Sequence, residues 1–347
     1  VIAIQEIGGQ REVDDLVFRL RQADPTLGDY RGFSGTGTGS LKCAYLVNRR
    51  IDNPELMELG TGEFLSSGGV LHDRPPFLLS FDTPGDEATR VQVLNLHLRS
   101  LNGVDDNDDF VRNKRREQSV SVAEMVENLR DENLVIVGDY NACAFSDGYV
   151  DVVGQIAGTP SLGALLPVEN IVSPPLRILS NELPPVNERY SFVFRGNAQQ
   201  LDHCLINELV GLSANEMQYA RGNSDASVNF FNQAFAAQRA SDHDGFVVYL
   251  DIDALSNTND NFLSEVSLQF ANPIRKGGEV SFSNLPTGME INLVDVSGKT
   301  VWTSTYQASF PGAMSGTFNL PENLTAGSYF IQLTDGRNSK SVKVVVR

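Results

Sequence analysis

Hydrophobic and polar positions follow two rhythms along this chain, and the change-over falls near residue 255. In the first part, apolar residues gather in short runs or alternate with polar ones at 1–6, 43–47, 77–81, 91–97, 134–137, 190–194, 201–206 and 245–250. These runs predict strands. At 13–22 and 111–128 the apolar positions return on helical spacing, the second stretch carrying Val111, Val120, Val122, Met125 and Val126 among charged neighbours. Strands outnumber helices, and several end on an acidic, amide or imidazole side chain. That combination predicts sheets packed face to face, helices outside them, and a site at the strand ends.

Two stretches interrupt the rhythm. Residues 155–188 are rich in Pro, Gly and Leu and read as a long surface excursion that shapes access to the neighbouring strands. Residues 213–240 are polar and rich in Asn and Ala. A polar run at 254–265 reads as a linker dividing the chain into domains at 1–253 and 266–347. Beyond it, short alternating runs at 280–282, 290–296, 300–304, 316–320, 329–333 and 340–346 are separated by turn signals such as Asp335-Gly336. This spacing predicts a small all-β sandwich.

Charge sharpens the division. The chain of 347 residues carries a net charge of −17, and all of the excess lies in the first part: residues 1–255 hold 37 acids and 20 bases, whereas 256–347 hold 7 of each. Such acidity argues against binding nucleic acid through phosphate contacts alone, though divalent cations in an acidic cleft can reverse the local field. The rival reading is that the acidity maintains solubility. No apolar run approaches the roughly 20 residues needed to span a bilayer. Cys43, Cys143 and Cys204 are too few and too scattered for a disulfide framework or a zinc site, and each reads as a small buried hydrophobe.

Five segments carry the candidate chemistry: Gln5-Glu6, Asn95-Leu96-His97, Gly138-Asp139-Tyr140-Asn141, Leu201-Asp202-His203 and Ser241-Asp242-His243. Phosphodiester hydrolysis needs charge neutralisation on the phosphoryl oxygens, an activated water and a stabilised leaving oxygen. Glu6 and Asp242 are candidate oxygen ligands for a magnesium-type ion, and a histidine beside a carboxylate, His243 with Asp202, suits a general base. Taken singly, each has a plainer reading: Asp139 and Asn141 as strand-ending turn residues, Glu6 as a solvated carboxylate, Asp242-His243 as a surface pair. The joint pattern shifts the balance, since three of only four histidines fall within these segments. Strand alternation turns His203 away from Asp202, so it reads as structural. His72 reads as a surface residue, and Arg112, Lys114, Arg115 and Arg116 as the solvated face of a helix rather than a nucleic-acid patch. Arg99 is a candidate for substrate phosphate.

On these segments residues 1–253 resemble the endonuclease/exonuclease/phosphatase superfamily, with Gln5-Glu6, Asn95–Ser100, Gly138–Ala142 and Ser241–His243 carrying the likeness. The connecting segments 39–46, 74–76, 148–153, 190–196 and 198–203 are similar to those of secreted bacterial endonuclease-like members. The resemblance implies an α+β fold, a four-layered α/β sandwich of the deoxyribonuclease type, and a metal-dependent phosphodiesterase. It implies that Glu6 and Asp242 hold Mg2+ (Mn2+ or Ca2+ as alternatives) and that Asp139 and Asn141 position the nucleophile and phosphate. His243 with Asp202 is then the base, His97 contacts phosphate or the leaving oxygen, and Asn141 binds substrate; Arg99, beside His97, is a substrate-binding candidate from its position alone, with an exposed arginine as the plainer reading. Nucleic acid is the expected substrate; a phosphatase, a phospholipid phosphodiesterase or an inactive binding protein are the alternatives. In that family a further strand precedes the glutamate, so the N-terminal strand is expected to be missing from this sequence. The second domain resembles the C-terminal sorting domain of type IX secretion through Asn272-Pro273, 295–299, 326–329 and 343–347. That implies contact with the secretion machinery and a secreted or cell-surface location in Bacteroidetes-like bacteria.

Overall fold

The computed structural model describes residues 1–23, 25, 29–84, 88–211, 216–231, 233, 235–250, 266–285, 288–295, 299–307, 315–334 and 339–347. It folds as two compact units, Val1–Leu255 and Ser256–Arg347. The linker expected at 254–265 lies outside the described residues, as do Val296, Ser297 and Gly298 of the second unit's motifs.

In the first unit the chain runs β1 (Ile2–Ile7), α1 (Gln10–Ala23), β2 (Tyr30–Ser34), β3 (Lys42–Asn48), β4 (Asp52–Glu58), β5 (Phe77–Asp82), β6 (Arg90–His97), α2 (Phe110–Asn128), β7 (Asn133–Asp139) and α3 (Val152–Ala157). It continues through β8 (Arg177–Ile178), β9 (Phe192–Phe194), β10 (Asn197–Gln199), β11 (Asp202–Ile206), α4 (Glu208–Gly211), β12 (Glu216–Tyr219) and β13 (Phe246–Tyr249). One sheet has the order β1-β3-β2 and a larger one the order β4-β5-β6-β7-β11-β8.

Strand alternation builds the layers. On β3, Cys43, Tyr45 and Val47 pack against Phe77, Leu79, Val91, Val93, Val135, Val137, Cys204 and Ile206 of the larger sheet, forming the core between the sheets. The intervening residues face outward: Ala44 and Leu46 meet Val13 of α1, while Leu94, Leu96, Ile136 and Leu205 meet Val122, Ala123 and Val126 of α2. The order helix, sheet, sheet, helix is the expected four-layered sandwich. Two polar staples tie the sheets together. The Tyr45 hydroxyl reaches the carbonyls of Phe77 (2.9 Å) and Val93 (2.8 Å). Asn95, fully buried, donates to the carbonyls of Ile4 (3.0 Å) and Ala44 (3.2 Å) and accepts from Gln5 (2.6 Å).

Three expectations are corrected. The stretch 155–188 is not wholly a surface excursion: Ile156, Ala157, Val172 and Leu176 enter the core and β8 pairs with β11 at the sheet edge. His72 is buried, its Nε2 2.9 Å from the Ser121 hydroxyl. Lys114 and Arg115 are also buried, Lys114 on Asp73 (2.7 Å) and Arg115 on Asp147 (3.1 Å). Residue type alone predicts solvated cations, whereas carboxylates and carbonyls satisfy these two inside the fold.

The second unit is all-β, with sheets β14 (Ser267–Gln269), β15 (Glu279–Ser283), β18 (Gly316–Asn319) and β17 (Thr300–Thr305), β16 (Glu290–Asp295), β19 (Gly327–Thr334), β20 (Ser339–Val346), each in that spatial order. Val280, Phe282, Ile291, Leu293, Ile331 and Val344 form its core, as a two-sheet sandwich requires.

Candidate active site

Three neighbouring strands place the site. His97 on β6 lies directly opposite Asp139 on β7, and Asp139 directly opposite Asp202 on β11. Each follows an alternating series, Val91-Val93-Asn95, Val135-Val137 and Cys204-Ile206, that faces the space between the sheets. Period and register therefore bring three candidate side chains into a row at one end of the inter-sheet core. His203, one position out of phase, points to the other face, its Nε2 2.8 Å from the Ala142 carbonyl and its Nδ1 2.9 Å from the Ser180 hydroxyl. It is structural, as the alternation predicts.

The backbone is bent where the row is completed. Glu6 sits at a bulge in β1, between the paired Ile4 and Ile7, with φ 61°. This swings its exposed carboxylate to 3.6 Å from His97 Nε2, which is also 3.5 Å from Asp139. Asn141 has φ 49°, and its side chain and backbone N–H both donate to Asp139, at 2.6 and 2.7 Å. Non-glycine residues held at positive φ cost energy and mark positions the surroundings over-determine. Gly138 precedes Asp139 with φ 130°, and a Cβ there would lie 2.1 Å from the Leu96 carbonyl oxygen.

His243 arrives from the last motif. Its Nδ1 donates to Asp202 Oδ2 at 2.7 Å, leaving Nε2 for other partners. The same carboxylate oxygen accepts from the Ser191 hydroxyl at 2.6 Å. Ser191 Oγ itself accepts from the N–H groups of Leu201 (3.2 Å) and Asp202 (3.1 Å), so its only proton is committed to Asp202. The Ser191 carbonyl accepts from Asp244 N at 2.7 Å, which joins the segment carrying His243 to the residue just before β9. Asp244 is buried and receives Arg221, Ser224 and the backbone of Asn223, bracing the loop.

Electrostatics divide the two histidines. Burial, aided by Arg74 and His243, pushes His97 down to about 3, so it is neutral at pH 7. For His243 burial pulls downward, but the bond to Asp202 and the charges of Asp202, Asp139 and Asp242 outweigh it and hold the imidazole at about 9. Burial, with the neighbouring Asp202 charge, raises Asp139 above the usual carboxylate range.

This donor set suits a hard divalent cation. Ligand atoms of Asp139, Asp202 and His243 all lie within 4.8 Å of one another. Two buried carboxylates on paired strands repel, and a cation is the partner that would relieve them. Glu6 extends the acidic edge past His97. Asp242 is exposed beside His243 and acts on it through charge. The Arg99 guanidinium donates to the Asn102 carbonyl at 3.2 Å.

Sequence reasoning missed the braces behind the site. Arg115 donates to the carbonyls of Arg99 (2.6 Å) and Asn141 (2.9 Å), and Arg74 to those of His97 (3.1 Å) and Leu98 (3.0 Å). Ser191 was passed over as well. An arginine on a helix or a serine in a strand carries no sequence signal of the carbonyl or carboxylate it will meet.

Known proteins were compared with this chain. No curated protein matches it. Among solved structures it is similar to TDP2 from C. elegans, at 13% identity over 72% of this chain and 64% of that one, with a TM-score of 0.43. It is also similar to the 3′ phosphatase NExo from Neisseria bound to product DNA hairpin, at 12% identity over 72% and 88%, TM-score 0.44. PorZ, a surface component of the type-IX secretion system of Porphyromonas gingivalis, matches at 17% identity over 26% and 12%, TM-score 0.20. Residues 270–347 match the secretion system C-terminal sorting domain, which marks the chain for secretion or display at the cell surface. Residues 1–243 match the Endonuclease/Exonuclease/phosphatase family, and the chain belongs to that family.

Proposed function

We propose that the first unit is a divalent-cation-dependent phosphodiesterase, an endonuclease acting on extracellular nucleic acid, carried by a domain at 1–253 and followed by a linker at 254–265 and a sorting domain at 266–347. The observation that carries this reading is the Ser191–Asp202–His243 chain standing beside Asp139, with His97 next to Asp139 and Glu6 next to His97.

Mg2+, or Mn2+ or Ca2+, would be held by the exposed Glu6 and Asp242 together with Asp139 of the buried cluster, leaving Asp202 and His243 for the base, and would supply neutralisation of phosphoryl charge. The remaining work falls to the chain. His243 takes the proton of the attacking water at Nε2 while Asp202 fixes its tautomer through Nδ1. Its high proton affinity comes from the bond to Asp202 and the charges of Asp202, Asp139 and Asp242. Asp139, held by both donors of Asn141, orients the water, and the Asn141 amide is placed to meet a phosphoryl oxygen. His97, kept neutral by burial, offers a hydrogen bond to phosphate or to the leaving oxygen.

The test is hydrolysis of single- and double-stranded DNA, RNA, a phosphomonoester and a phospholipid, with Mg2+ and with chelator, wild type beside His243→Ala. Polynucleotide cleavage lost in both controls supports the reading. Hydrolysis of the monoester or the lipid alone replaces it with a phosphatase or a phospholipid phosphodiesterase, and no hydrolysis by the folded wild type replaces it with a binding role.

A further inference from the structure

A ladder of rings runs outward from His243 and ends on a cation. The Phe192 ring lies 4.7 Å from the His243 ring at 31°, the Phe194 ring 6.4 Å from Phe192 at 15°, and the Arg195 guanidinium 5.1 Å from the centre of Phe194. Phe194 and Arg195 are exposed. The presentation is rigid by construction. Arg195 and Gly196, with φ 50° and 84°, form a two-residue turn of the kind that matches strand twist, closing the β9–β10 hairpin. Its base is clamped by the Ser191 N–H on the Gln199 carbonyl (3.0 Å) and by the bridge from Phe192 to His243. Phe192 and Phe194 are two apart on one strand, so their rings share a face.

Core packing does not call for this arrangement. Phe194 is 49% exposed and belongs to no buried core of the described residues, whereas Tyr45, Phe77 and Phe81 of the two large sheets pack in the core between them. Among the described residues the Arg195 guanidinium is bonded to no carboxylate or carbonyl, although the unit is strongly acidic. An aromatic side chain beside an arginine also suits an anionic lipid surface, and the vesicle arm of the test below separates that occupant. Near-parallel rings followed by a free guanidinium fit a planar π-system with an anion next to it, which is one nucleotide: base on ring, phosphate on arginine.

We propose that Phe194 and Arg195 form a stacking platform for an unpaired nucleobase neighbouring the cleaved phosphate, so that the substrate is a nucleic acid with single-stranded character. This rests on the phosphodiesterase reading, and binding without turnover separates the two.

The full chain carrying Phe194→Trp is titrated in chelator with a mixed-sequence single-stranded oligonucleotide and, separately, with an abasic sugar–phosphate chain of equal length. The native tryptophan, Trp302, lies in the other unit, and wild type supplies its baseline. The base-bearing strand is expected to quench the new fluorophore and the abasic chain to leave it unchanged. Phe194→Ala is expected to weaken oligonucleotide binding about ten-fold, the scale of one stacked base, with abasic affinity unaltered. Equal binding of both chains, no binding of either, or a response to phosphatidylcholine/phosphatidylglycerol vesicles in place of the oligonucleotide overturns the platform. Base-dependent binding without hydrolysis in Mg2+ leaves the platform standing and removes the enzymatic reading; hydrolysis without base-dependent binding does the reverse.

Discussion

Asp202 Oδ2 receives two donors, from His243 and from a serine whose own lone pairs are spent on backbone N–H groups. Removing His243 or Asp202 (to Ala) is expected to lower turnover by roughly a hundred- to ten-thousand-fold, the worth of a positioned base; steady-state kinetics with a folded variant checks this. Ser191→Ala leaves the carboxylate with one donor and two backbone N–H groups without a partner. We expect a turnover loss of about ten-fold and a stability loss of about 1–3 kcal/mol, read by kinetics and by denaturant titration. Unchanged kinetics would remove Ser191 from the positioning of Asp202. His72 makes a separate, pH-linked prediction. Burial holds it at about 4, against 6.5 for an exposed histidine. Below pH 6.5 the unfolded chain takes up a proton that the folded one refuses, so stability falls between pH 6.5 and 4 and is flat with respect to this group above 6.5. The expected loss is about 3 kcal/mol at most. His72→Gln should flatten that part of the profile, and a variant that tracks wild type from pH 7 to 4.5 would refute it.

At the level of strands, much of the site was legible because period two is strict. Once 91–97, 134–139 and 202–206 are strands, His97, Asp139 and Asp202 must share a face and His203 must leave it. Less legible were β2 and β4, whose residues are polar or half-exposed, and α3, whose apolar positions sit in a Pro- and Gly-rich setting. Gly138→Ala is expected to destabilise by more than about 3 kcal/mol or to prevent folding, because the β6–β7 pairing leaves the methyl no room. Asn95→Ala removes three hydrogen bonds between the sheets and strands two carbonyls. A cost of about 2–4 kcal/mol in thermal or chemical denaturation is expected. Wild-type stability in either variant would contradict the packing described here.

For the molecule as a whole, acidity is concentrated in the catalytic unit, and the site gathers carboxylates that repel one another. Divalent cation should therefore stabilise the fold: at about 100 times its dissociation constant the gain is about 2.7 kcal/mol. Calorimetry with Mg2+, Mn2+ and Ca2+ against chelator measures it, and Asp139→Ala should abolish most of the gain. An unshifted transition with every ion would argue against a cation site. The sorting unit carries balanced charge, with 7 acids and 7 bases over residues 256–347.

By itself the sequence determined the layered fold, the two parts, the sorting tail and the row of strand-end residues, because alternation, turn chemistry and short motifs are local and survive without coordinates. Tertiary structure alone decided what those residues meet: that Lys114, Arg115 and His72 are buried, that Arg99 donates to the Asn102 carbonyl of its own loop, that Ser191 bonds Asp202, and that an exposed phenylalanine stacks outward from His243. The partners of a long or polar side chain are set by segments distant along the chain. No period or composition encodes which carbonyl, carboxylate or ring the fold brings within reach.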